Sequence, residues 1–139
     1  MKILKYSRQR ESIKAYLAAR HDHPTADTLY TEIRKEYPNI SLGTVYRNLN
    51  LLVELGEIQK ITCGDGKDHF DAQTYPHYHF VCRRCGSVFD VPMKTISDME
   101  KEAARQTGAR VDSHTIHFYG ECANCLRSLI IHNELIVDL

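Results

Sequence analysis

Two pairs of cysteines, Cys82-Arg83-Arg84-Cys85 and Cys122-Ala123-Asn124-Cys125, constrain this chain more than any other feature. Two thiols at this spacing grip one ion from a tight turn, and two such turns supply the four soft ligands of a closed tetrahedral zinc site. A closed site leaves no position for a substrate, so this metal builds structure. Four unconnected buried cysteines would not account for the repeated spacing. The opening residues, Met1 to Arg8, carry no apolar core of a secretory signal. The expected location is therefore cytoplasmic and reducing, where metal thiolates are favoured over disulfides. The fifth cysteine, Cys63, falls in a predicted turn and is read as incidental.

A second group of potential ligands surrounds the first pair. His77 and His79 precede it, Asp90 follows it, and His23 and Asp71 lie further upstream. Three imidazoles and two carboxylates suit Fe(II), Mn(II) or Zn(II) better than copper(I). On a strand, His77 and His79 point to one face. Each of the five taken alone reads as an ordinary surface or hydrogen-bonding side chain, and spacing does not bring His23 and Asp71 to the other three.

The formal net charge is zero, which on its face speaks against nucleic acid. Residues 1–60 nevertheless hold ten Lys/Arg against seven Asp/Glu, and residues 61–139 hold eight against eleven. The first part is mildly basic and the second mildly acidic. No apolar run is long enough to span a bilayer.

Apolar periodicity predicts a helix from Ser7 to Arg20, with Ile13, Tyr16 and Leu17 on one face. Thr25 caps a second helix carrying Leu29, Ile33 and Tyr37, which Pro38-Asn39 ends. Ser41 caps a third, Leu42 to Leu55, with Val45, Leu49, Leu52 and Val53 inward and Gly56 as its stop. A hairpin of Ile58–Thr62 and His69–Asp71 follows. Three helices and a hairpin are the order of a winged helix-turn-helix, whose third helix enters the major groove. The exposed face of that helix offers Thr44, Tyr46, Arg47 and Asn48 for phosphate and base-edge contacts. An ordinary solvated helix face reads the same way.

Residues 72–76 read as a hinge. Strands at His77–Val81 and Ser87–Val91, a helix from Thr95 to Thr107 ended by Gly108, and a strand over Arg110–Tyr119 complete a small α/β domain pinned by zinc. A core this small calls for a metal, a disulfide or a partner subunit; zinc and a dimer are both expected. The fold class is thus α+β. Residues 1–71 form a winged-helix DNA-binding domain, and residues 77–139 a dimerisation and metal-sensing domain. The tail from Leu126 onward reads equally as helix or strand.

Together these segments resemble the ferric uptake regulator (Fur) superfamily over nearly the whole chain. The resemblance rests on four of them: His23-Pro24-Thr25-Ala26-Asp27, Ser41 to Leu49, His77 to Gly86, and Tyr119 to Cys125. It implies a homodimeric, metal-dependent DNA-binding repressor acting on an inverted-repeat operator. It assigns Cys82, Cys85, Cys122 and Cys125 to structural zinc. His23, Asp71, His77, His79 and Asp90 fall to a regulatory Fe(II) or Mn(II). Arg10 lies in Ser7-Arg8-Gln9-Arg10, which is similar to the family's Thr-Pro-Gln-Arg without its proline; Tyr46 and Arg47 match the family's DNA-contacting helix.

Iron-sensing members usually carry Glu where this chain has Asp90, and often extra ligands where it has Pro76 and Tyr78. Asp90 resembles the peroxide-sensing PerR branch. The resemblance implies that peroxide at the ferrous site oxidises His23 or His77 and so releases DNA. The alternatives are an iron-responsive or other metal-responsive repressor, a zinc-ribbon interaction module, and a metal-dependent hydrolase. No further general acid or base stands at an interpretable position, so an enzyme is not expected.

Overall fold

The computed structural model describes residues 4–62 and 66–132. Cys63 and the tail residues 133–139 lie outside the described residues. The chain divides into two compact units, Met1–Thr74 and Tyr75–Leu139.

The first unit comprises α1 (Arg8–Ala18), α2 (Ala26–Ile33), α3 (Leu42–Glu54) and the antiparallel pair β1 (Gln59–Thr62) and β2 (Asp68–Asp71). Each helix starts on a hydroxyl cap. The side chains of Ser7, Thr25 and Ser41 accept hydrogen bonds from the N–H groups of Arg10, Thr28 and Thr44. Each satisfies a donor that the first helical turn leaves unpaired. The inward faces meet in one core: Ile13 and Leu17 from α1, Leu29 and Ile33 from α2, Val45, Leu49 and Leu52 from α3. Ile58 and Phe70 close it from the hairpin side. The α-helical hydrogen bonding of α2 gives way to turns after Ile33, about one helical turn before Pro38.

The hairpin runs in register from Gln59 opposite Asp71 to Thr62 opposite Asp68. Its second strand is stitched to the entry of α2. Phe70 N–H donates to the Pro24 carbonyl at 3.0 Å, and Thr25 bridges to His69.

The second unit is a three-stranded sheet, order β4-β3-β5, made of β3 (Tyr78–Cys82), β4 (Val88–Val91) and β5 (His117–Gly120), with α4 (Met99–Thr107) and α5 (Ala123–His132). β3 pairs antiparallel with β4 and parallel with β5. The turn after β3 is closed by Gly86 N–H donating to the Cys82 carbonyl at 2.9 Å, with Gly86 at φ 76. That left-handed conformation suits glycine, which has no Cβ to clash.

Two expectations shift here. The strand expected over Arg110–Tyr119 forms only from His117 on, because β3 offers partners only from His79 to Cys82. The helix expected from Thr95 begins at Met99. Ile96 N–H donates instead to the Tyr78 hydroxyl at 2.6 Å, and Asp98 at the N-cap is left-handed, with φ 68. The tail, readable either way, is helical through His132. Among the described residues, no helix is long and apolar enough to cross a membrane.

Candidate metal centres and nucleic-acid face

The four cysteines of the two pairs converge. Their sulfurs all lie within 4.8 Å of one another, with Cys82–Cys125 at 3.7 Å and Cys85–Cys122 at 3.8 Å. Four sulfurs each about 2.3 Å from one tetrahedral zinc would stand roughly 3.8 Å apart. The cluster is close enough to hold a zinc ion. Register explains the convergence: Cys82 ends β3 opposite Gly120 of β5, two residues before Cys122.

Electrostatics point the same way. Burial opposes ionisation of Cys82, yet N–H groups from Cys85, Cys122 and Arg84 outweigh it and bring the thiol down to about 6. Hydrogen bonding to Ser87 lowers Cys85. Burial and the three neighbouring sulfurs push Cys125 up to about 12. Four thiolates crowd one another in the absence of a cation, and a bound divalent ion deprotonates coordinating thiols outright.

The nitrogen and oxygen donors fall into two sets, one in each unit. In the first unit His23 and Asp71 are both buried, with Nε2 of the imidazole 3.6 Å from Oδ2 of the carboxylate. That is too long for a good hydrogen bond. His23 sits at φ 44, an uncommon conformation for a residue with a side chain and one found disproportionately at functional sites. Its carbonyl accepts a hydrogen bond from His69 Nδ1 at 2.9 Å. Asp71 is oriented by the Gln73 N–H at 2.9 Å and the Gln59 amide at 3.3 Å. Burying an ionisable pair is costly unless it is well hydrogen-bonded or coordinates a metal.

In the second unit His77 Nε2 lies 3.1 Å and His79 Nε2 3.5 Å from the same oxygen of Asp90. His79 and Asp90 are direct partners across β3 and β4. His77 Nδ1 approaches the Tyr75 carbonyl at 2.6 Å. A carbonyl only accepts, so Nδ1 is the donor in this contact, and Nε2 is the nitrogen turned toward Asp90. A second hydrogen bond of this kind is what orients an imidazole whose other nitrogen binds a metal.

Two groups escaped sequence reasoning. His117 is aligned with His79 on the other side of β3, with ring centroids 5.7 Å apart. Burial, and then the neighbouring His79, lower its pKa. The Tyr78 hydroxyl meets His114 Nε2 at 2.7 Å, and His114 Nδ1 meets Glu100 at 2.5 Å. This chain of contacts ties Tyr78, which lies between His77 and His79, to α4. Parallel pairing of β3 with β5 joins residues nearly forty apart, and local pattern carries no signal for it.

Of the residues expected to face DNA, Tyr46 and Arg47 are exposed on α3. Thr44 shares a hydroxyl contact with the Ser41 cap at 2.8 Å, and the Asn48 amide donates back to the Thr44 carbonyl at 3.1 Å. These two are engaged within their own helix. Arg10 donates to the Lys5 carbonyl at 2.8 Å.

The chain is similar to known proteins in sequence and in fold. The family model described as the ferric uptake regulator family matches residues 2–119. The peroxide-responsive repressor PerR of Staphylococcus aureus is 37% identical over 117 residues, covering 84% of this chain and 79% of that protein. The crystal structure of the Campylobacter jejuni peroxide stress regulator is 37% identical with a TM-score of 0.73, covering 84% of this chain and 88% of that one. The Helicobacter pylori ferric uptake regulator Fur, described as having three functional metal-binding sites, is 26% identical with a TM-score of 0.76, covering 88% and 83%. The chain belongs to the ferric uptake regulator family.

Proposed function

We propose that this protein is a homodimeric, metal-dependent transcriptional repressor that senses peroxide. The observation that carries the reading is Asp90. Its carboxylate, one methylene shorter than the usual Glu, stands in register with His79 and within 3.5 Å of both His77 and His79. The relatives at 37% identity, a peroxide-responsive repressor and a peroxide stress regulator, support it.

In this reading Cys82, Cys85, Cys122 and Cys125 hold structural Zn(II). His23 and Asp71 of the first unit and His77, His79 and Asp90 of the second hold one regulatory Fe(II) or Mn(II). Ligands drawn from both units favour one arrangement of the winged helix relative to the dimerisation domain. That arrangement sets two α3 helices against half-sites about one helical turn apart. Metal and DNA then strengthen each other's binding reciprocally, typically by about 1–3 kcal/mol. Tyr46 and Arg47 supply base and phosphate contacts, with Arg10, Thr44 and Asn48 alongside. The exposed Phe89, Phe118, Met99 and Ile96 of the second unit supply apolar surface for the dimer.

Bound ferrous iron would supply the electron that cleaves the O–O bond of hydrogen peroxide. In this reading one oxygen of the peroxide is transferred to a ring carbon of His23 or His77, and the other leaves as water with the hydrogen that carbon loses. An oxidised imidazole is a poorer ligand, so the link between the units fails and DNA is released. Catalytic turnover is not part of this function, and the site of action is cytoplasmic.

The test uses an operator selected from random duplexes by the Mn(II)-loaded protein. DNA affinity is then measured for the Fe(II) and Mn(II) forms before and after micromolar peroxide. Loss confined to the Fe(II) form is expected. Binding that follows Fe(II) reversibly and ignores peroxide would make this an iron-responsive regulator. Indifference to every metal would leave an interaction module.

A further inference from the structure

We propose that His117 completes a metal-loading site confined to the second unit, in which His77, His79, Asp90 and His117 hold a divalent first-row ion before His23 and Asp71 engage it. The inference deepens the regulatory-site reading above and rests on it. Asp90, His79 and His117 form one row across β4, β3 and β5, each aligned with the next by strand register. Opposed residues on neighbouring strands, about 4.8 Å apart, project to the same face.

Ring spacing fits a shared ion. Two imidazole nitrogens each about 2.1 Å from one tetrahedral ion place their ring centroids roughly 5 Å apart. His77 and His79 stand at 4.5 Å, and His79 and His117 at 5.7 Å, with the last two rings near-perpendicular at 81°. Three imidazoles and one carboxylate make a complete four-donor set for zinc, cobalt, iron or manganese. No residue of the first unit is needed. Loading and engagement of the first unit thereby become separate steps. His79, Asp90 and His117 of the sheet, with His77 just before β3, would hold the ion first, and His23 and Asp71 would then take the place of His117. Because the two steps are coupled, the affinity of the loading site and the free energy of engaging the first unit together set the metal level at which the repressor begins to respond.

The experiment titrates Co(II) into the full chain with its structural zinc in place. Visible absorption reports coordination, and a competing chelator gives affinity. The His23→Ala/Asp71→Ala variant is expected to bind one Co(II) per protomer more weakly than the unaltered chain. Adding His117→Ala to it is expected to change the band shape and to weaken that binding by at least about 10–100-fold, the loss seen when even an outer-shell partner is removed. His117→Phe keeps the ring packing on His79 and removes the donor. Retained zinc content shows that the unit is folded, and the same loss is expected. Equal affinity and spectrum with and without His117 would overturn the proposal. The His77→Ala/His79→Ala variant separates the two readings. If it still binds this Co(II), the regulatory site itself has been misplaced, whatever His117 does.

Discussion

The two units of this chain solve the same problem by different means. The first closes a core. All three of its helices bury apolar residues, and Ile13, Val45, Leu49 and Leu52 have no exposed surface. The second does not close one. Among its described residues the buried apolar side chains are Tyr78, Val81, Cys82, Val88 and Cys122, two of which are zinc-site thiols. None of the residues of α4 is buried, and Phe80 stacks on Phe89 at 5.1 Å near the surface of the sheet. Hydrophobic burial holds the first unit, whereas the second buries few apolar side chains and gathers four cysteines into one cluster. The contrast matches the division of labour proposed above. A DNA reader works as a rigid body, whereas a sensor benefits from a fold that depends on what it binds.

The most severe break in this contrast is loss of zinc. Structural zinc contributes about 10 kcal/mol or more of folding free energy in small domains. Cys122→Ser, or stripping with a strong chelator, is expected to unfold the second unit and dissociate the dimer. Hydrogen exchange should show α1–α3 still protected. Protection lost equally in both units would contradict the separation. Acid probes the same cluster. Cys82 is depressed to about 6, so in metal-free protein its stabilising contribution is present above the ordinary thiol range and lost as pH falls through that value. Any residual tertiary structure of the second unit in the metal-free chain, as read by near-ultraviolet circular dichroism, should therefore be weaker at pH 5 than at pH 8.

The converse break is Leu49→Ala in the closed core, expected to cost about 2–5 kcal/mol. Its cost should appear in the melting of the first unit, with zinc content per protomer unchanged. Arg47→Ala leaves both folds intact. It is expected to lower operator affinity about tenfold or more, the scale of a lost base contact, and a shallower salt dependence would assign it to phosphate instead. Smallest is Ser41→Ala, which removes the α3 cap and should destabilise the first unit by about 1 kcal/mol in a denaturant titration.

What was legible from sequence follows the same divide. α1, α2 and α3 are amphipathic, each begun by Ser or Thr, so local pattern sufficed to place them and their core. The paired cysteines named their own cluster because short spacing and metal chemistry are both local. The β5 region was over-read as a long strand, since alternation over Val111–His117 marks strand character but not where the partner strand ends. His117 went unnoticed for the same reason. Its nearness to His79 depends on parallel pairing of distant segments. The Tyr78–His114–Glu100 contacts likewise join three segments that no periodicity links. Thr44 and Asn48 were read as DNA-facing from helix position, whereas their polar groups also serve the cap and backbone of α3 itself.

The central claim is that His23 of the first unit and His77 of the second address one ferrous ion. Peptide mass spectrometry of Fe(II)-loaded and Mn(II)-loaded protein after brief peroxide treatment tests it most directly. The account predicts one added oxygen on the His23 or His77 peptide in the Fe(II) form, absent from the Mn(II) form and from a His79→Ala variant. Unmodified His23 and His77 in Fe(II)-loaded protein, at peroxide levels that oxidise exposed methionines, would contradict it.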